Sequence, residues 1–472
     1  MNPEFTRNLW LETGPFRLFA LAAAALALLV GAYLVAGPAL IGVLPGLNQL
    51  VGDPTQFARV AVAGMAEGLL AVFLILWGTR SAADAVLSEI GAGTWDGQRL
   101  SMIGPWAMSW GKLLGAPAAA WIIALVILVP AYLWGAGTEA EALRRLAFIL
   151  LAAIAAHAAA FAIGLSFALR RETRSRAVVA FAHLVGILVG FALFSSRDGI
   201  DGPVALGLYG HVLPPERFML ALAAIATFWL LVADYRLMRQ ALAVPTAPWV
   251  WIVFLAFLAA LTAGLDITGL PMIVGAVMPP KGYLAALLML LAMLVATYAA
   301  AVVLPPDALG WRRWASAMRR RPLRALARTP IFLYGLLFAA GAVVYGLVAL
   351  GQPDGVSMWR LSSINGEAFP IALFCFAIRD TLLLAAAFAV PEKRGRVIGV
   401  LVFIGLSYLV LPLALGRVVP AEVLAFLVPA ITLDTMAMIV PPAAEALVAL
   451  ILLVAIVRRT ARTVRAGAER AG

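Results

Sequence analysis

The sequence predicts an all-α polytopic membrane protein of about twelve transmembrane helices, and three observations predict it. Of its 472 residues, 64% are hydrophobic and 12% charged, whereas a soluble globular chain carries about 25% charged residues. Apolar runs such as 18–36, 116–134 and 284–304 reach the length of about 20 residues that a helix needs to cross the hydrocarbon core. No stretch alternates apolar and polar residues as the strands of a membrane barrel do, over about 10 residues each.

Along the chain, twelve segments meet the helical criterion: 16–37, 57–79, 114–136, 145–169, 177–195, 217–235, 248–268, 283–304, 329–350, 368–390, 397–415 and 439–457. The first is long, follows a start containing Glu4, Arg7 and Glu12, and opens a series of spans, which argues against a signal peptide. With both termini cytoplasmic, 26 of the 35 Lys plus Arg fall on inner segments, as the positive-inside rule requires. One span more or fewer would undo that asymmetry. The longest outer loops, 196–216 and 416–438, leave no room for a soluble domain of ordinary size. Six spans, a polar connector at 234–248 and six more spans give two membrane halves, 1–240 and 241–472. In each half a long inner loop follows the second span, at 80–113 and 305–328, and a long outer loop follows the fifth. That pattern matches the parallel repeats of many transporters.

Composition narrows the chemistry. The only cysteine, Cys375, lies in an apolar run, so no disulfide framework or cysteine-based metal site is available. His157, His183 and His211 lack metal-binding spacing. The net charge of +11 is spread over membrane-flanking loops, which argues against nucleic acid as a partner. Arg outnumbers Lys 32 to 3, which fits a GC-rich genome; together with the family resemblance described next, it implies a bacterial inner membrane.

The most distinctive segment is the inner loop 88–112, SEIGAGTWDGQRLSMIGPWAMSWGK. It is polar, rich in Gly and Trp, and has no lipid-facing role, while Trp95, Trp106 and Trp110 are suited to anchoring a short helix at the membrane face. Glu89, the Gly93-Thr94-Trp95-Asp96 group, Pro105 and the run Gly111-Lys112-Leu113-Leu114-Gly115 resemble the cytoplasmic coupling region of type-2 ABC-transporter permeases. The opening Asn2-Pro3-Glu4 through Glu12 is similar to the amphipathic elbow of that family, and the resemblance covers residues 1 to about 240. The family's short Thr-Pro or Ser-Pro stretch is replaced by Met102-Ile103-Gly104-Pro105. The resemblance implies that Glu89, Gly93, Thr94, Asp96, Pro105, Gly111 and Lys112 couple the membrane helices to a motor. It also implies that ATP is bound by a separate ABC-type ATPase subunit. The chain itself has no P-loop, since Leu113 follows Gly111-Lys112, and no cofactor is expected in it. The plainer reading of the loop is an ordinary interfacial helix.

The second inner loop reads WRRWASAMRRRPLRALAR over 311–328. Trp311, Trp314 and Met318 share a helical face, with Arg312, Arg313, Arg319 and Arg320 elsewhere, until Pro322 ends the helix. A basic amphipathic helix of this kind suits an anionic cytoplasmic leaflet, and motor docking is its other use.

Ionisable residues inside spans cost about 2.5–3.5 kcal/mol each on insertion scales. Glu67, His157, His183, Arg379, Asp380 and Glu445 qualify, with Asp266 nearer an outer end. Arg379 and Asp380 point about 100° apart on a helix, so each calls for a partner on another helix, and Glu67 is the mate expected for Arg379. A structural ion pair and a wet or ion-coupling path are both open uses.

The leading expectation is therefore the permease subunit of an ATP-driven exporter, without enzymatic activity of its own, formed from one chain or as a homodimer. Lipid-like or amphipathic cargo is the family-level expectation. The alternatives are an ion-coupled secondary transporter using Glu67, Asp266 or Arg379-Asp380, and a membrane-embedded enzyme or assembly factor for lipid-linked substrates. The enzyme would draw on outer-loop Asp198, Asp201, Tyr209 and His211.

Overall fold

A computed structural model describes residues 2–36, 54–133, 139–169, 176–196, 205–244, 246–268, 281–350, 368–390, 395–410 and 435–471. Nine of the described helices are long and apolar enough to cross a membrane, so the chain is a polytopic helical membrane protein. Asp198 and Asp201 of the expected outer loop, and the charges Arg170, Arg171, Arg174, Lys393 and Arg394 of the expected inner loops, lie outside the described residues. The chain divides into two compact units, Met1–Gly202 with Pro214–Thr246, and Pro203–Leu213 with Ala247–Gly472.

The first unit opens with α1 (Pro3–Glu12), α2 (Pro15–Ala36) and α3 (Pro54–Leu70). The second span then widens into a π-helical stretch, π1 (Ala71–Gly78), and continues as α4 (Thr79–Asp84) and α5 (Leu87–Gly91). The sequence ends this span at residue 79, yet the helical path runs to Gly91. Ala82, Ala83, Val86 and Leu87 are all buried, so apolar contact carries the helix on through the first part of the expected polar loop. A short α6 (Trp95–Arg99) leads to α7 (Pro105–Gly115) and α8 (Ala118–Leu133). These last two helices, expected as one span from 114, start nine residues earlier and bend by 56° at their junction. Pro117 supplies the cause, because it has no N–H to continue the ladder and its ring crowds the preceding turn.

At the centre of the unit lies α9 (Glu139–Leu169), flanked by α10 (Arg176–Ser195) and α11 (Pro215–Ala241). Its Ala152, Ala153, Ala155, Ala156, Ala158, Ala159 and Ala160 are buried, and small side chains let neighbouring membrane helices approach closely. A Cβ at Gly186 of α10 would come within 2.4 Å of Thr79 Cγ2 and 2.6 Å of the Ala156 carbonyl. The two histidines of this region face π1. His157 Nε2 donates to the Leu74 carbonyl at 2.8 Å and His183 Nε2 to the Leu76 carbonyl at 2.7 Å. A carbonyl partner puts the hydrogen on Nε2 in both rings. Each histidine thus satisfies a carbonyl in the stretch where helical hydrogen bonding is irregular.

The second unit departs from the all-α expectation by one small sheet. Strands β1 (Ala205–Leu208) and β2 (His211–Leu213) form a hairpin, and β3 (Leu265–Thr268) pairs antiparallel on the far side of β1. The hairpin residues, which the sequence assigns to the first half, belong to this unit. The two turn residues, Tyr209 and Gly210, both have positive φ, 51° and 81°, as a two-residue type I′ hairpin demands. Asp266 lies on β3 in register with Gly207.

The helices of this unit are α12 (Trp249–Ala263), α13 (Lys281–Val303), α14 (Ala308–Arg320), α15 (Pro322–Leu326), α16 (Ile331–Leu350), α17 (Ala368–Ala389), α18 (Gly395–Gly405), π2 (Leu406–Val410) and α19 (Thr435–Ala471). α12, at the seventh expected span, is short for a crossing at 15 residues. The end of the eleventh expected span, 411–415, lies outside the described residues. Helix α13 packs closely on α16, and α17 on α19.

Replacing Gly186 by Ala should overpack the α9–α10 contact and cost about 1–3 kcal/mol. Thermal denaturation in detergent should register this as a Tm lowered by about 2–4 °C per kcal/mol. An unchanged Tm would mean that the helices separate without strain.

Candidate functional site

The segment singled out by sequence is built on the first helix. Asn2 caps α1, its side-chain oxygen accepting from the N–H groups of Glu4 and Phe5, and Pro3 occupies the first helical position. Both choices favour a helix start, the first by satisfying free N–H groups and the second by its fixed φ. The Asn2 amide also donates to the Ala107 carbonyl at 2.7 Å, tying α1 to α7. Gly111 and Gly115 stand one turn apart on α7 and form the seat of α1. A Cβ at Gly111 would meet Glu4 Cβ at 2.7 Å and the Phe5 nitrogen at 2.9 Å, and one at Gly115 would meet Asn8 Cβ at 2.8 Å. This small-residue spacing admits a helix at backbone contact distance.

Between those glycines, Lys112 is wholly buried. Its ammonium donates to Glu4 Oε1 at 2.7 Å and to Glu89 Oε2 at 2.5 Å, and it lies 5.7 Å from the centre of the Trp95 ring. Glu89 also accepts from Arg7 and, at 2.7 Å, from Gln98 Nε2. Arg7 in turn lies 3.4 Å from Glu4. Two cations and two carboxylates therefore form a neutral network joining α1, α5, α6 and α7. Asn8 closes it, donating to the Glu4 carbonyl at 2.9 Å and to Gly111 at 3.4 Å.

The Gly93-Thr94 pair has a separate task. Gly93, at φ +72°, ends α5 in a left-handed cap that a side chain would strain. Its N–H donates to Ile90 at 3.1 Å and that of Thr94 to Glu89 at 2.9 Å, which is the Schellman pattern. Beyond this cap Trp95 turns inward, while Asp96 is exposed and pairs with Arg99 at 3.4 Å. Pro105 stands at the first position of α7. The surface left free runs from Asp96 to Trp106: Leu100 is 88% exposed, Met102 fully so and Trp106 60%. Of the expected coupling residues, Asp96 faces outward, Gly93 and Thr94 shape the turn, and Glu89, Gly111 and Lys112 are consumed by the brace beneath.

The ionisable residues of the spans assemble differently from expectation. Arg379 does not need Glu67. Its Nη1 donates to Glu445 Oε2 on α19 at 2.6 Å, and its Nε donates to the adjacent Asp380 at 2.8 Å. Glu67 instead lies 3.9 Å from Arg145. Adjacent residues thus pair after all, because the long arginine side chain folds back over a ring, its guanidinium 4.5 Å from the centre of Phe376. Asp380 is completed by Tyr298 and Tyr408, whose hydroxyls donate at 2.7 and 2.8 Å. Neither tyrosine carries a sequence signal, since each is one aromatic residue in an apolar run.

The basic helix α14 also differs. Asp307 caps it by accepting from Gly310 at 2.6 Å. Trp311 and Trp314, expected at the interface, turn into the unit, where Trp311 packs on Phe332 and Trp314 Nε1 donates to Thr329 at 3.1 Å. Arg313, Arg319 and Arg320 are exposed, and Arg312 half-buried. Among the described residues no group of acidic, His or Cys side chains could hold a metal. The chain matches no protein-family model, no curated protein and no solved structure.

Removing Lys112 leaves two buried carboxylates facing each other, so Lys112→Met should cost about 3–5 kcal/mol and release α1. Limited proteolysis near residue 12 should accelerate. A variant as resistant as the parent would show that the brace is dispensable. Arg379→Leu strands Asp380 and should lower the Tm by a comparable amount.

Proposed function

We propose that this chain is the membrane permease of an ATP-driven transporter, an exporter in a bacterial inner membrane, worked by a separate ABC-type ATPase subunit at its cytoplasmic face. The observation that carries the reading is the combination of a rigid base with an exposed tip. The Lys112 network fixes α5, α6, α7 and α1 as one piece, and on it stand Leu100 and Met102, apolar and almost wholly exposed, beside a Trp106 that packs edge-on against Tyr235 and is 60% exposed. A partner seated there would push on a stiff object. Neutral, buried ion pairs resist being pulled apart, because separation leaves charge without water. The motion would therefore pass into α4 and π1 on one side and through α7 into the bent α8 on the other. ATP is hydrolysed by the partner, and the chain contributes the lever and the path. Amphipathic cargo and a homodimeric pore belong to the same reading.

The Arg379–Asp380–Glu445 cluster favours a second reading, an ion-coupled transporter, because polar groups inside spans often mark ion paths. Transport that stops on ATP depletion and survives collapse of the proton gradient distinguishes the first from it.

Purification from native membranes should recover an ATPase subunit with the parent chain. The double variant Leu100→Asp, Met102→Asp should lose that subunit while its own Tm stays unchanged, since both side chains are solvent-facing. Transport that never requires an ATPase would overturn the proposal.

A further inference from the structure

A groove of about 610 Å³ opens on the outer face of the first unit, between the start of α2 and the π-helical stretch of the second span. Phe16, Leu21, Val72, Phe73 and Trp77 line it, and Arg17 stands at one end. The Arg17 guanidinium lies over the Trp77 ring, 5.0 Å from its centre. Glu12 lies near Arg17: burial raises the pKa of its carboxyl, the Arg17 charge lowers it and Asp84 raises it. Arg80, also exposed, follows Trp77 within one turn.

Three features select the occupant. The walls are apolar and open among the described residues of this unit, so a chain of methylenes fits them without any polar group going unsatisfied. Arg17 lies in the first turn of α2, at the level where phosphates sit. Trp10 and Leu11, exposed on the preceding α1, mark that same interfacial depth. The arginine distribution in the sequence assigns this end of the spans to the cytoplasmic leaflet, which is the anionic one.

We infer that the groove binds one anionic phospholipid, an acyl chain lying along Phe16, Val72 and Phe73 and the phosphate resting on Arg17. The site does not depend on the proposed transport activity. It has a mechanical consequence of its own, because Val72, Phe73 and Trp77 line the groove from one side of π1, whose other side is held by His157 and His183. A bound chain therefore braces from outside the irregular turn that the histidines brace from inside.

The test uses the full chain in a neutral detergent, titrated with phosphatidylglycerol or with phosphatidylcholine of the same acyl chains while Tm is followed. Phosphatidylglycerol should raise Tm saturably, with a preference over phosphatidylcholine of about fivefold, the worth of one cation at an anionic surface. Arg17→Gln should abolish the preference, read against the variant's own lipid-free Tm. Ala20→Trp, which fills the groove, should abolish binding of both lipids. Arg459→Gln, an exposed cation on α19, should change nothing. Equal stabilisation by both lipids in the parent, an equal effect of Arg459→Gln, or the same shift with inorganic phosphate alone would each overturn the assignment. If Ala20→Trp does not fold, the Arg17→Gln arm still decides.

Discussion

A lysine ammonium without water is the constraint on which the rest of the first unit depends. Lys112 is buried at the foot of a membrane helix, where an isolated charge costs several kcal/mol even after relaxation. It is tolerable only because Glu4 and Glu89 reach it from two other segments. Those carboxylates are balanced by Arg7, so the ensemble is neutral. Each partner sits on a different helix, and the network closes only when α1, α5 and α7 are all in place. The glycines at 111 and 115 complete the logic, since without their missing side chains α1 could not lie close enough for Glu4 to arrive.

The same physics organises the second unit to another end. Asp380 is fully buried and receives three donors, two from tyrosines on separate elements and one from its neighbour Arg379. The Arg379 guanidinium also spans to Glu445, so that α13, π2, α17 and α19 are pinned around one carboxylate. Where the first network leaves an exposed apolar tip above it, this one lies inside its unit among Phe376, Phe403 and Tyr408. One arrangement stiffens a loop at a helix end, and the other fixes a bundle.

Between the braced loop and the bundle of the first unit lies π1. A π-helical stretch is a poorer hydrogen-bonding arrangement than an α-helix and persists where side chains compensate. His157 and His183 do so from α9 and α10. Neither histidine was legible beyond its being an ionisable group inside a span, because a lone histidine in an apolar run carries no sign of which carbonyl it will meet. The expected docking residues were legible in identity but not in role. Glu89 and Lys112 stand out as charges in an apolar setting, yet nothing in their spacing of 23 residues announces that they touch. Trp311 reads as an interfacial anchor from its amphipathic helix, and only the neighbouring Phe332 turns it inward.

By itself the sequence determined that the chain is a helical membrane protein, where most of its crossing segments run and which loop breaks the apolar pattern. Those properties are local sums, because about twenty apolar residues cross hydrocarbon whatever surrounds them. Tertiary structure alone decided that Lys112 meets Glu4 and Glu89, that Arg379 prefers Glu445 to Glu67, and that strands 205–213 join β3. Such pairings depend on which surfaces come together in space, and the energy of a buried charge is set by its neighbours across the fold, which no stretch of sequence contains.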